Sequence, residues 1–302
     1  MTLDDRRILL VHAHPDDETI GTGATMARYV AEGAQVTLVT CTAGEEGEIL
    51  MPEIEHLASD QEDGLGAHRV KELDAAMALL GVTDVRFLGG MFNFRDSGMQ
   101  WAPDRHAAPL DETRGDTFWH ADLTQAANHL VEIIREVRPQ VLVTYDEFGG
   151  YGHPDHIQAH RVATYGAVLA SIPSYRRDFG EAWDIPKIYW SAMSASEMRE
   201  GLRALRDAGD TTTFEGMDPD NLPPFAVEDD DLDAMVDGSD FLEAKLDAMR
   251  AHASQIATDG PFFALSNNFG NRVWGVEFFR LVKGTPAPPE GSGLEDDLFA
   301  GL

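Results

Sequence analysis

Between Arg7 and Leu169 the apolar residues keep changing period, from short continuous runs to spacings of three and four, and few architectures accept that alternation. Arg7-Ile8-Leu9-Leu10-Val11 is a run suited to a buried parallel strand. A polar turn leads to a helical segment, Ala24 to Ala31, with Gly33 where a helix C-cap belongs. A second strand is predicted over Gln35–Cys41, followed by a polar loop from Thr42 to about Asp63, long enough to suggest function. Val70, Leu73, Ala76, Met77 and Leu80 repeat at helical spacing, Gly81 ends them, and Asp84–Leu88 reads as a third strand. Asp122 is placed to N-cap a helix carrying Ala126, Leu130, Ile133, Ile134 and Val137, which Pro139 closes before a fourth strand at Val141-Leu142-Val143. Ile157 to Leu169 then reads as helix.

Strand, helix, strand, helix predicts an α/β fold: Rossmann-like, a mostly parallel sheet with helices on both faces. Beyond Ile172 the pattern loosens into a C-terminal elaboration. Lys187–Ala192 suits a strand, Ser194-x-x-Glu197 is a capping box opening a helix to about Ala208, and another helix is predicted over Phe241–Ile256. Gly284–Gly293, with Pro286, Pro288 and Pro289, reads as an extended tract before an acidic-apolar tail. No internal repeat interrupts the chain. The expectation is one catalytic domain over 1–302, with a core at 1–171 and the elaboration at 172–302.

Charge removes several classes of function. The 53 acidic residues against 23 basic give a formal net charge of −30, which repels nucleic acid and anionic lipid. The densest acidic stretch, Glu228 to Asp233 and on to Asp247, reads as a solvated face. No signal-peptide core fits before His12 and no stretch reaches membrane-spanning length, so no nucleic acid or membrane partner and a cytoplasmic location are expected. The single cysteine, Cys41, forbids an internal disulfide and a cysteine metal cluster, and its place in a predicted strand makes it inert. No interface stripe stands out from which to read an oligomeric state.

In open α/β sheets, sites form beyond the carboxyl ends of the strands. After the first strand comes His12-Ala13-His14-Pro15-Asp16-Asp17-Glu18, and shortly after the fourth comes Tyr151-Gly152-His153-Pro154-Asp155-His156. His14 and Asp17 stand three apart, as do His153 and His156, and four of the 11 histidines lie in these two turns. Imidazole and carboxylate are the usual ligands of a catalytic divalent metal, and each proline stiffens its turn. A lone residue of this kind would ordinarily cap a helix; two such motifs at two strand ends point to one metal site. A catalytic zinc keeps a position open, so three side chains bind it and the others are left for proton transfer. Such a set also accepts iron(II), but nothing else in the chain argues for oxygen chemistry.

Other chemistries lack their residues. There is no G-x-S-x-G elbow, H-E-x-x-H helix or Walker A loop. Gly21-Thr22-Gly23 supplies two glycines of a dinucleotide fingerprint, but Met26 stands where the third belongs, and Asp16, Asp17 and Glu18 would face the pyrophosphate.

The pair of motifs resembles the LmbE-like (PIG-L) family of metal-dependent de-N-acetylases. The likeness is nearest to the actinobacterial branch that converts N-acetylglucosaminyl-inositol to glucosaminyl-inositol and acetate in mycothiol biosynthesis. It is carried by VHAHPDDE (11–18), CTAGEEGEI (41–49), RDSGM (95–99), TYDEFGGYGHPDH (144–156), ALSNN (264–268) and the closing DDLFAGL (296–302). The resemblance implies one zinc per subunit held by His14, Asp17 and His156, with Asp16 as general base. It further implies that His153 stabilises the tetrahedral intermediate or protonates the amine, that Asp155 orients His153, and that Tyr151 polarises the carbonyl. Arg69 and Asp96 match positions that contact the small-molecule amino-sugar inositol substrate; the plainer reading of each is a surface salt bridge or loop cap. Glu48 could line the same mouth. His12 is expected to support the site rather than ligate, since a fourth ligand would exclude water.

A sibling branch, the amidases of mycothiol S-conjugates, shares these motifs but tends to read Tyr-Pro-His in the second and to carry a lysine soon after the acidic triplet. Here the residues are Tyr151-Gly152-His153 and Thr19-Ile20-Gly21, which favours the deacetylase. A non-catalytic sugar- or metal-binding protein would be expected to have lost the base or the oxyanion group, yet Asp16 and His153 are both present.

Overall fold

The computed structural model describes residues 5–102, 106–111, 114–211, 213, 217–260, 263 and 275–302. In chain order the elements are β1 (Arg7–His12), α1 (Asp17–Ala31), β2 (Gln35–Thr40), α2 (Leu65–Leu80), β3 (Asp84–Phe87), β4 (Gln100–Trp101) and β5 (Ala107–Ala108). They continue with α3 (Leu123–Val137), β6 (Val141–Thr144), α4 (Gly149–Gly152), α5 (Pro154–Ala170), β7 (Lys187–Ser194), α6 (Ala195–Asp207), β8 (Ala226–Val227), β9 (Ala234–Asp237), α7 (Leu242–Ala251) and β10 (Val276–Lys283).

The main sheet runs β3-β2-β1-β6-β7-β10-β9, with β8 paired to the end of β7. The strands from β3 to β7 are parallel, whereas β10 lies antiparallel between β7 and β9. The mostly parallel, Rossmann-like α/β architecture is therefore as expected. The chain leaves β1 towards β2 on one side and returns through β6 on the other, so the topology reverses between β1 and β6. Their ladder, Ile8 with Val141, Leu9 with Leu142 and Leu10 with Val143, brings the two strand ends side by side. The crevice at such a reversal is where α/β sheets place their sites.

Alternation along β1 divides the core. Ile8 and Leu10 face a cluster containing Met26, Tyr29, Leu73, Met77 and Leu80 from α1 and α2. Leu9 and Val11 face the opposite one, with Leu130 and Ile134 of α3 and Val162 of α5. A strand buried on both faces needs an unbroken apolar run, and this one has it. Asp122 caps α3 by accepting from the Gln125 N–H at 2.8 Å, and Ser194 caps α6 by accepting from the Glu197 N–H at 3.3 Å. Gly81 closes α2 in the left-handed conformation, φ 77°.

Some boundaries differ from expectation. α1 begins at Asp17 rather than Ala24, because the glycines and threonines of its first two turns are poor helix formers that still pack: Gly23 lies against the Lys245 stem of α7, where a Cβ would meet Cγ at 3.1 Å. α5 starts at Pro154, a favoured first helical residue. α7 stops at Ala251 instead of Ile256. The Cys41 side chain is buried just past the end of β2, and burial pushes its thiol well up, consistent with an inert residue. β9 and β10 carried no clear signal, since each is half covered and mixed in composition. The 284–293 tract lies beside a clamp in which Glu295 accepts from Lys187, Tyr189 and the Ala287 N–H, and the tail after it buries Leu298 and Phe299. Ala264–Asn268 falls outside the described residues. Among the described residues no helix is long and apolar enough to cross a membrane.

Candidate metal centre

Both histidine motifs arrive at the β1–β6 crevice. His12 is the last residue of β1, His14 and Asp16 form the turn, and Asp17 opens α1. On the other side Tyr151 lies in the short α4 turn, His153 N-caps α5, and Asp155 and His156 stand in its first turn. His14, His153, Asp155 and His156 are all buried.

The Asp17 carboxylate lies between the two motifs, with Oδ2 3.2 Å from His14 Nδ1 and 3.3 Å from His156 Nε2. The same oxygen accepts the His14 backbone N–H at 2.9 Å. His156 Nδ1 lies 3.2 Å from the Gly149 carbonyl, which can only accept, so that nitrogen carries the proton. Nε2 is buried beside a carboxylate oxygen and has no hydrogen-bond partner among the described residues. A nitrogen and a carboxylate oxygen in that relation can take a cation between them. Ligand atoms bound at about 2.0–2.2 Å to a tetrahedral ion stand roughly 3.3–3.6 Å apart, and the separations here lie at the lower end of that range.

His14 is the hub of the cluster. Its Nε2 is 3.2 Å from Asp155 Oδ2 and 3.4 Å from Asp96 Oδ1. Among the described residues two triads hold ligand atoms all within 4.8 Å of one another, His14–His153–His156 and His14–Asp96–Asp155. Asp17 is in neither, reaching His14 and His156 pairwise instead. The donor set is imidazole and carboxylate throughout, and it can hold a divalent metal.

Charge follows from this crowding. Burial alone would lower the His14 ring, but Asp96, Asp155 and Asp17 outweigh it and hold it well above its usual value. Burial would raise Asp17, and His156 and His14 hold it well below the carboxylate range instead. His153 is pushed well down, by burial and then by the neighbouring His14 and His156 rings. Its Nδ1 accepts the Asp155 backbone N–H at 3.1 Å, which leaves Nε2 as the proton-bearing nitrogen of the neutral ring. Asp16 is raised to about 6, chiefly by burial, with Arg69 opposing.

The remaining residues take these places. The Asp155 carboxylate turns to His14 and to Ser97, whose N–H and Oγ donate at 2.8 and 2.5 Å; what Asp155 gives His153 is its backbone N–H. Tyr151 packs edge-on to His156, ring centres 5.1 Å apart, with Trp101 on its outer side at 6.0 Å. Arg69 is 3% exposed, so it is no surface residue; it donates to the carbonyls of Gly44 and Pro15 and to Asp16 Oδ2 at 3.1 Å. Asp96, equally buried, accepts from the backbone of Glu46 and Gly98 beside the His14 ring. Glu48 meets Gln255 through its carbonyl. His12 faces Tyr145 OH and Thr22 Oγ1.

Three contributors were not singled out from sequence. Tyr145 stacks on His156 with ring centres 4.3 Å apart and accepts the Ala13 N–H at 2.9 Å, so it joins the two motifs; it stands directly after β6, which was the available signal. Ser97 lies inside the RDSGM segment. Glu18, the last residue of the first motif, meets His252 some 234 positions away, which no local pattern reveals.

Residues 9–166 match the PIG-L family, described as GlcNAc-PI de-N-acetylase. A 1D-myo-inositol 2-acetamido-2-deoxy-alpha-D-glucopyranoside deacetylase from Nocardioides sp. is 71% identical to this chain over 299 residues, 99% of each sequence. A protein of the same name from Kribbella flavida is 66% identical over 301 residues, again 99% of each. Among solved structures, the N,N'-diacetylchitobiose deacetylase of Pyrococcus horikoshii has a TM-score of 0.59 at 22% identity, covering 94% of this chain and 86% of that one. The 4-carboxy-2-hydroxymuconate hydratase of Pseudomonas putida reaches 0.60 at 17% identity, with 94% and 99% covered. At such identities the likeness speaks for the fold alone.

Proposed function

The chain belongs to the PIG-L family of GlcNAc-PI de-N-acetylases, and on that premise we propose that it deacetylates 1D-myo-inositol 2-acetamido-2-deoxy-α-D-glucopyranoside. Water cleaves the acetamide C–N bond, releasing acetate and the free amino sugar, the step that the sequence resemblance assigns to mycothiol biosynthesis. The observation that carries this reading is whole-length identity of up to 71% with relatives bearing that name. The buried imidazole–carboxylate cluster is the equipment such a reaction needs.

The metal is zinc in this reading, held by His14, Asp17 and His156, with iron(II) accepted by the same donors. When bound, the ion supplies Lewis acidity towards the acetyl carbonyl and towards water. Asp16, raised towards neutrality by burial, takes the proton from the attacking water. His153 donates a hydrogen bond from Nε2 to the carbonyl oxygen as charge develops, and the proton that Asp16 took from water passes to the departing nitrogen. Tyr151, beside both rings, keeps its phenol protonated because burial pushes it well up, and so remains a donor to the same oxygen. Asp155 braces the His14 ring from behind, anchored by Ser97. Asp96 and Arg69 complete the polar wall that meets the inositol-bearing sugar.

The test is primary-amine release from N-acetylglucosaminyl-inositol, beside a mycothiol S-conjugate, with the zinc-loaded protein. The expected result is a clear kcat/KM preference for the first. A preference for the conjugate would make this an amidase of the same family, and turnover of neither would remove the hydrolase reading.

A further inference from the structure

Asp16 has φ 118° and ψ −35°, a backbone conformation that a residue with a side chain rarely adopts. Something must hold it there. Its carbonyl opens α1 by accepting from the N–H groups of Thr19 and Ile20 at 3.0 and 2.9 Å. Its own N–H donates to Glu18 Oε2 at 3.0 Å. Glu18 is a carboxylate with no exposed surface, tolerable only when its oxygens are satisfied. Oε1 accepts from Thr19 Oγ1 at 2.7 Å and lies 3.1 Å from Nε2 of His252, itself fully buried just past the end of α7. Neither Glu18 nor His252 reaches the metal cluster or takes part in the chemistry above.

We propose that His252 and Glu18 are a positioning pair, through which α7 fixes the backbone of Asp16 in the orientation its role as base requires. Arg69 holds the other end of the same peptide unit, donating to the Pro15 carbonyl. The 15–16 peptide is thus gripped at its oxygen by Arg69 and at its N–H by Glu18. Loss of the His252 contact leaves Glu18 short of a donor, frees it to rotate, and lets Asp16 relax towards an ordinary conformation that re-aims its carboxylate. The inference rests on Asp16 being the base.

Two measurements on His252→Ala and His252→Gln test it. In the metal-free protein, exchange of the Asp16 amide hydrogen is expected to be about tenfold faster in His252→Ala, and close to wild type in His252→Gln, whose amide can still donate to Glu18. In the zinc-loaded protein, His252→Ala is expected to bind one zinc per chain and to lose roughly 10- to 100-fold in kcat with KM within about twofold, His252→Gln recovering most of it. Thr19→Val, which removes the other side-chain donor to Glu18, should move both readouts the same way and stands in should His252→Ala not fold. Unchanged amide exchange in both His252→Ala and Thr19→Val would overturn the proposal, as would failure of His252→Gln to recover. Wild-type protein inactive on the amino sugar would count against the proposed function, while the exchange measurement would still decide the positioning role.

Discussion

His156 Nε2, with no hydrogen-bond partner among the described residues, faces Asp17 Oδ2 across 3.3 Å, a nitrogen from the first turn of α5 set against an oxygen from the first turn of α1. Such a pair offers a cation two ligand atoms of different chemistry. Tight metal binding and a change in stability on metal removal follow, because an ion that binds only the folded state stabilises it.

Removing single ligands should separate the overlapping triads. His14→Ala and His156→Ala are expected to lose stoichiometric zinc, whereas His153→Ala keeps it and loses turnover. Metal analysis after gel filtration decides this; a zinc-free His153→Ala would move that ring into the ligand set.

Asp16→Asn is expected to retain one zinc per chain and to lower kcat by roughly 10²- to 10⁴-fold, the usual contribution of a general base. Steady-state amine release on zinc-loaded protein checks it. Wild-type turnover would reject Asp16 as the base.

Gly149 adopts φ 68° behind His156, and a Cβ there would stand 2.7 Å from both His156 Cβ and the Ile157 nitrogen. Gly149→Ala should therefore cost more than the approximately 1 kcal/mol of a left-handed alanine and should weaken zinc binding by displacing the ring. Urea unfolding with and without metal measures both effects; an unchanged zinc affinity would mean that the ring stays where it is.

Asp122→Ala serves as the control away from the site. Loss of the cap on α3 is expected to cost about 1 kcal/mol in urea unfolding and to leave kcat/KM unaltered.

Stability should also depend on pH through the β2–β3 edge. Partial burial alone would raise Asp84, but Arg86 and Thr37 outweigh it and hold it below 3.8. A carboxylate depressed in the folded state contributes stability above its unfolded pKa, and that contribution fades as pH falls through the folded value. The advantage of wild type over Asp84→Asn in urea should thus be present at neutral pH, shrink below 3.8, and weaken in salt because the pair is part-exposed. A gap that widens in acid would reverse the assignment.

The parallel core was legible because its central strands, β1 and β6, are apolar runs and its helices have caps or stops, as with Asp122 and Gly81. The same reasoning brought the two histidine motifs to one crevice, since strand ends in such a sheet share an edge. Contacts made at long range were not legible. Nothing near Asp155 in sequence distinguishes service to His153 from service to His14, and only the fold sets its carboxylate against His14 and Ser97. Helix α1 was read short because its early glycines and threonines lower helix propensity where close packing against α7 requires small residues. The C-terminal strands β9 and β10 draw their stability from pairing with one another and with β7, which their composition does not advertise.

The ladder between β1 and β6 has a further consequence. The sheet fixes the spacing of the two strand ends, about 4.8 Å from strand to strand, and Tyr145, directly after β6, ties the turns that follow them together by accepting the Ala13 N–H and stacking on His156. The segment between β3 and β4 that borders the crevice also brings Asp96 to the His14 ring, so it shapes the donor set as well as the entrance. Selectivity and reactivity are thereby mechanically linked: exchanging that segment to admit a different amide would also remove a group that holds the His14 ring.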